Sequence, residues 1–103
     1  MERGEIRWYK FKEPDKKRPV LILTRNSIIK YLNEITIAPI TSTIRDIPSE
    51  VIISETDGMK KQCAINLDYI QTVPKMKIQS RITKLNDSKL LEVSQALKFA
   101  LEI

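Results

Sequence analysis

The feature that most restricts the fold is a change of period near residue 86. Before it, apolar residues come in short runs, each stopped by charges, a proline or an Asp-Gly: EIRWYKFK, PVLILT, ITIAPI, EVIIS and QCAINL. Runs of that length suit strands and are too short for self-standing helices. After it, in NDSKLLEVSQALKFALEI, Leu90, Val93, Leu97 and Leu101 recur at helical spacing, with Ala96 and Ala100 beside them. Asn86 or Asp87 can cap the start of that helix. Successive strands with short connections favour antiparallel pairing. The expectation is a mainly β domain. A small, strongly curved antiparallel sheet or partly open barrel would carry one C-terminal helix of about 15 residues.

Strands are expected over Glu5–Lys12, Pro19–Thr24, Ile35–Ile40, Glu50–Ser54 and Gln62–Leu67, with a strand-like Asp68–Val73 stopping at Pro74 and a weaker Ile78–Leu85. PVLILT is apolar without alternation, which implies burial on both faces. Proline is tolerated at the first position of a strand, where Pro19 is placed. Glu13–Lys17 reads as a charged connection, Asn26–Leu32 as a turn or short helix, and Glu55–Lys61 as a turn around Asp57-Gly58. Pro39 has no N–H, so the third strand must be bulged, ending or exposed there. No repeat or linker divides residues 1–103, and a single domain of this length buries about 65% of its unfolded surface.

Composition removes whole classes of chemistry. The chain has no histidine, which excludes Ser-His, Cys-His and twin-His mechanisms and most zinc sites. Its two glycines, Gly4 and Gly58, are far apart, so no glycine-rich loop can cradle a nucleotide phosphate. The single cysteine, Cys63, cannot form an internal disulfide and reads as a buried, inert strand residue. It fits a reducing compartment. The N-terminus is charged from its second residue and lacks an apolar signal region. The uncharged run Ile35–Ile44 is too short to span a bilayer. These readings point to a soluble cytoplasmic protein with no membrane association. The net charge of +5 suits an anionic partner, and equally serves solubility.

Arg18 is the most constrained charge. A residue before proline is held extended, so Arg18 sits on a restrained backbone at a strand end. Its planar fork of donors matches phosphate oxygens. Thr41-Ser42-Thr43 follow the ITIAPI strand and can donate to a phosphate or cap local backbone. Lys75, Lys77, Arg81 and Lys84 form a loose basic belt. Tyr69 is the aromatic expected to be partly exposed and able to stack on a base.

Taken in order, RGEI, RPVLIL, TIAPITS, IPSEVII, CAINLDYIQTV and LNDSKLLEVSQALKFAL cover nearly the whole chain. This ordered set resembles the MazF/PemK family of toxin endoribonucleases. The resemblance implies an SH3-like β-barrel of the CcdB/PemK type with a C-terminal helix, working as a homodimer. It implies sequence-selective cleavage of single-stranded RNA without a metal or any cofactor. The 2′-hydroxyl attacks the adjacent phosphate, leaving a 2′,3′-cyclic phosphate and a 5′-hydroxyl end. A cognate acidic antitoxin occupies the RNA groove. The family's functional arginine falls on Arg18 and its functional threonine on Thr41, with Ser42 adjoining. Lys16, Lys17, Tyr69, Gln71 and Arg81 are the further candidates for holding RNA.

The chain departs from the family pattern in two places. Its first loop, KEPDKK, is short and lacks the glycine of a G-S-E-Q-like segment, so Glu13 is not equated with that loop's glutamate. In LDYIQT, Tyr69 and Gln71 stand where the family carries glutamine and a basic residue, which bears on the bases read. Two other readings share the architecture: a non-catalytic RNA-binding barrel, and a gyrase poison like CcdB. The second depends on a C-terminal helix end that typically carries tryptophan, whereas this chain ends ALEI and has only Trp8.

Overall fold

Alternation along one strand organises the molecule. In the computed structural model, which describes residues 1–12 and 17–103, the strand Glu34–Thr41 turns Ile35 and Ile37 to one side and Ala38 and Ile40 to the other. All four are buried. The elements in chain order are β1 (Glu5–Lys10), β2 (Lys17–Ile22), α1 (Asn26–Ile29), β3 (Glu34–Thr41), β4 (Glu50–Ile53), β5 (Cys63–Asn66), β6 (Gln71–Pro74), β7 (Ile78–Lys84) and α2 (Asp87–Leu101). Every strand pairing is antiparallel. The order across the sheet is β4-β5-β3-β2-β1-β7, with β6 also on β3. Among the described residues β4 and β7 do not pair, so the curved sheet is not closed.

One face packs Ile6, Leu21, Ala38, Ile40, Ile53 and Ile65 against Val93 and Ala96 of α2. The other packs Tyr9, Val20, Ile22, Ile35, Ile37 and Val73 around Ile29 of α1. Burial on both faces explains the unbroken apolar run in PVLILT: Val20, Leu21 and Ile22 are all fully buried. α2 has the 15 residues expected, and the Asn86 side chain accepts from the Lys89 N–H at 2.9 Å. Leu101, placed by its spacing on the packed stripe, is 48% exposed at the last helical position.

Several boundaries differ from the sequence reading. β1 ends at Lys10, and β2 begins at Lys17 rather than Pro19, because the ladder continues through Trp8↔Pro19, Tyr9↔Arg18 and Lys10↔Lys17. The Lys17 ammonium lies 5.4 Å from the Trp8 ring, an attraction that favours pairing through the cations. Pro39 neither ends nor exposes β3. It pairs with Val20 of β2 on one edge and, on the other, sits between the last pair with β6, Ile37↔Gln71, and the first with β5, Ile40↔Ile65. The stretch expected as strand over Asp68–Val73 begins with a 3-10 turn, Leu67–Tyr69, because the Asn66 side chain accepts from the Asp68 N–H at 3.0 Å. β7 is a full seven-residue strand along β1.

Candidate active site

Register puts the two principal candidates on neighbouring strands. Val20↔Pro39, Leu21↔Ala38 and Ile22↔Ile37 are the paired positions; Arg18 lies two residues before Val20 and Thr41 two residues beyond Pro39. Both side chains fall on the face that carries Val20, Ile22 and Ile37. Gln71, opposite Ile37 on β6, falls on that face as well. Arg18, Thr41 and Gln71 therefore border one end of the second core from three neighbouring strands. Arg18 and Gln71 are exposed and Thr41 is half-buried.

Beside them lies a cleft of about 320 Å³, lined by Pro39, Thr41, Thr43, Arg45, Glu50, Asn66 and Tyr69. Arg18 is not among its lining residues. The Thr41 hydroxyl accepts from the Thr43 N–H at 3.1 Å. That bond uses a lone pair and leaves the O–H free to donate into the cleft. Ser42 is exposed on the same turn. Asn66 is buried and shapes the turn that presents Tyr69, which is 58% exposed. Ser49 donates to Asp68 Oδ2 at 2.5 Å, tying this turn to the segment that precedes β4.

The wall from residue 42 to 49 is held by one carboxylate. Glu50 Oε1 accepts from the Arg45 N–H at 3.0 Å and from the Asp46 N–H at 3.1 Å. Asp46 has φ of +54°, left-handed and uncommon for a residue other than glycine. Glu50 Oε2 is buried with no hydrogen-bond partner among the described residues. Thr43 belongs to the hydroxyl run read from sequence, whereas Arg45, Glu50 and Asn66 were not singled out. Arg45 lies in a loop without hydrophobic period, and Glu50 and Asn66 stand at strand ends; the Asn66-Leu67-Asp68 string, an Asx-turn pattern, was the one available signal.

The other candidates lie apart from the cleft. Lys16 is outside the described residues. Lys17 is exposed, with its ammonium over Trp8. Arg81 lies on β7, three strands across the sheet from β3. Its Nη1 is 3.3 Å from Oε2 of Glu5. Glu5 is only 4% exposed and also accepts from Arg7 Nε at 2.9 Å and from the Glu2 N–H at 3.0 Å. Burial works to raise the Glu5 carboxyl, but the Arg7 hydrogen bond, the Glu2 N–H and the Arg7 charge outweigh it and hold the group below its ordinary range. Arg81 thus belongs to a structural ion-pair network. A larger hollow of about 790 Å³, beside α1 and the turn after β6, contains none of the sequence-derived site residues. Its Lys75 donates to the Ile29 carbonyl at 2.9 Å.

The chain is thus a histidine-free antiparallel sheet with one terminal helix and a small polar cleft beside Thr41. Residues 2–101 match the family described as PemK-like, MazF-like toxin of type II toxin-antitoxin system, and the chain belongs to that family. It is 33% identical over 101 residues to the probable endoribonuclease MazF5 of Mycobacterium tuberculosis, covering 97% of this chain and 92% of that one. Among solved structures, the Mycobacterium tuberculosis toxin MazF-mt6 superposes with a TM-score of 0.88 at 31% identity, over 96% and 97% of the two chains. A mycobacterial endoribonuclease in complex with its cognate antitoxin shares the fold, with a TM-score of 0.88 at 21% identity, over 100% and 96%. No helix among the described residues is long and apolar enough to cross a membrane.

Proposed function

We propose that the chain is an endoribonuclease toxin that cuts single-stranded RNA at preferred sequences, and that a cognate antitoxin neutralises it. In this reading it acts in the cytoplasm as a homodimer. The attacking group is the substrate's own 2′-hydroxyl, so no protein nucleophile, metal or other cofactor is required. The products are a 2′,3′-cyclic phosphate and a 5′-hydroxyl end. The observation that supports the reading is the Thr41 hydroxyl, whose O–H is free beside a polar cleft, on the strand next to the one that carries Arg18.

The protein's work is then to align the 2′-oxygen with the leaving 5′-oxygen and to stabilise charge on the phosphorane. Arg18 supplies charge and a fork of donors to the non-bridging oxygens. A guanidinium is a poor proton acceptor near neutrality, so its role is electrostatic. Thr41 donates one further hydrogen bond to the same phosphate. Tyr69, exposed at the cleft, offers a face for a base. Ser42, Gln71, Lys16, Lys17 and Arg81 complete the proposed RNA contacts, with Lys17 and Arg81 reaching RNA only from outside the cleft.

The test is incubation of the protein and of Arg18→Ala with a long unstructured RNA in excess EDTA, followed by mapping of the ends. Discrete cuts with 5′-hydroxyl ends are expected from the wild type, with a rate loss of about 10²–10³ in the variant. Full activity in folded Arg18→Ala overturns the role of Arg18. RNA bound but never broken by the wild type would make this a non-catalytic RNA-binding domain.

A further inference from the structure

The cleft contains a cation that the reaction scheme above does not use. Arg45 is exposed at its edge, and its guanidinium has no hydrogen-bond or ion-pair partner among the described residues. Three of the other cations considered above are engaged elsewhere: Lys17 on Trp8, Arg81 on Glu5 and Lys75 on the Ile29 carbonyl. The backbone beneath Arg45 is unusually fixed for a loop. Glu50 Oε1 binds two successive N–H groups, those of Arg45 and Asp46, and Asp46 takes a left-handed conformation to present them. The Glu50 N–H in turn donates to the Ile47 carbonyl at 2.9 Å, closing the loop on itself. The carboxylate's charge is directed into backbone donors, and its second oxygen is sealed from solvent. The open side of the cleft thus shows a guanidinium and threonine hydroxyls, a surface complementary to an anion.

We propose that Arg45 holds a phosphate neighbouring the one that is cut, and that Glu50 is the positioning residue that sets Arg45 there. This rests on the ribonuclease reading and deepens it. Fixing the loop before RNA arrives means that less conformational freedom is lost when the contact forms. A long flexible side chain on a pre-ordered backbone strengthens binding in the ground state and the transition state alike, so its loss raises KM and leaves kcat.

The experiment is steady-state cleavage of a short RNA containing one mapped site, measured at several salt concentrations. Arg45→Ala should raise KM roughly tenfold, as for loss of one charge-assisted hydrogen bond. It should leave kcat within about twofold and reduce the salt slope of log affinity by about 0.7, the share of one phosphate contact on a single strand. Glu50→Ala should raise KM on its own and add nothing further in the Arg45→Ala background. Glu50→Gln, whose amide oxygen can accept the same two N–H bonds, should restore KM. A purely structural Glu50 would lower Tm without moving KM, and that result overturns its positioning role. Arg45→Ala with unchanged KM and salt slope, while the wild type cuts and Arg18→Ala does not, overturns the inference and leaves the ribonuclease reading intact. An altered cut sequence with an unchanged slope also overturns it, by assigning Arg45 to a base. A folded wild type that never cuts sinks both.

Discussion

Gly58→Ala should destabilise the fold by about 3 kcal/mol, through two separable causes. Gly58 closes the turn between β4 and β5 with φ of +96°, and its N–H donates to the Glu55 carbonyl at 3.0 Å. An L-residue there pays a backbone penalty of about 1–2 kcal/mol. Its Cβ would also lie 2.3 Å from Thr83 Oγ1 and 2.7 Å from Thr83 Cβ, separations that real Cβ atoms do not sustain. Thr83 must move, losing the bond it donates to the Asp57 carbonyl at 3.1 Å, worth about 1 kcal/mol. Urea unfolding followed through Trp8, at one fixed protein concentration, reads the effect. With a slope of about 1.5 kcal/mol/M for a small domain, the midpoint should fall by about 2 M. Thr83→Gly in the Gly58→Ala background removes the opposing Cβ, and should show a favourable coupling of at least about 1 kcal/mol. A loss below about 1 kcal/mol for Gly58→Ala, or no coupling with Thr83→Gly, would refute the steric argument.

The Glu5 carboxyl gives a pH dependence of definite sign. Because folding holds it below its ordinary value of 4.5, its contribution is complete above that value and is lost as pH falls through the folded pKa. Measured by Tm, the advantage of wild type over Glu5→Gln should shrink on acidification below about pH 5; parallel curves would remove Glu5 from the account. Cys63 is 6% exposed, and its thiol is pushed up by burial, opposed by Lys61 and assisted by Asp57. Iodoacetamide at pH 8 should alkylate it at least about tenfold more slowly in the native protein than in urea; equal rates would contradict its burial.

The sequence was legible where one local rule governed. The 3.6-residue stripe and Asn86 located α2, and unbroken apolarity marked β2 as buried on both faces. Strand ends were less legible because pairing decides them. Nothing local says that the ladder runs through Pro19 to Lys17, or that Pro39 sits where β3 changes neighbours. The roles given to Arg18 and Thr41 came only from resemblance, since 23 positions separate them and only strand pairing makes β2 and β3 neighbours. Arg81 read as one of a row of exposed cations; its partner Glu5 lies 76 residues away, beyond the reach of any spacing rule. Arg45 escaped notice because loop residues are placed by individual hydrogen bonds, and Glu50, at the first position of β4, because its bonds to that loop are not marked by strand periodicity.

The pairing of β1 with β7 has a consequence for synthesis. A ribosome makes β1 almost at once and β7 only when most of the chain exists. Until residues 78–84 emerge, one edge of β1 has no strand to bond, and Glu5 waits for Arg81. A product that stops short keeps an open edge on β1, the kind of edge that invites aggregation and proteolysis. In the proposed toxin, a chain interrupted before residue 78 would lack the strand that completes the sheet beside β1.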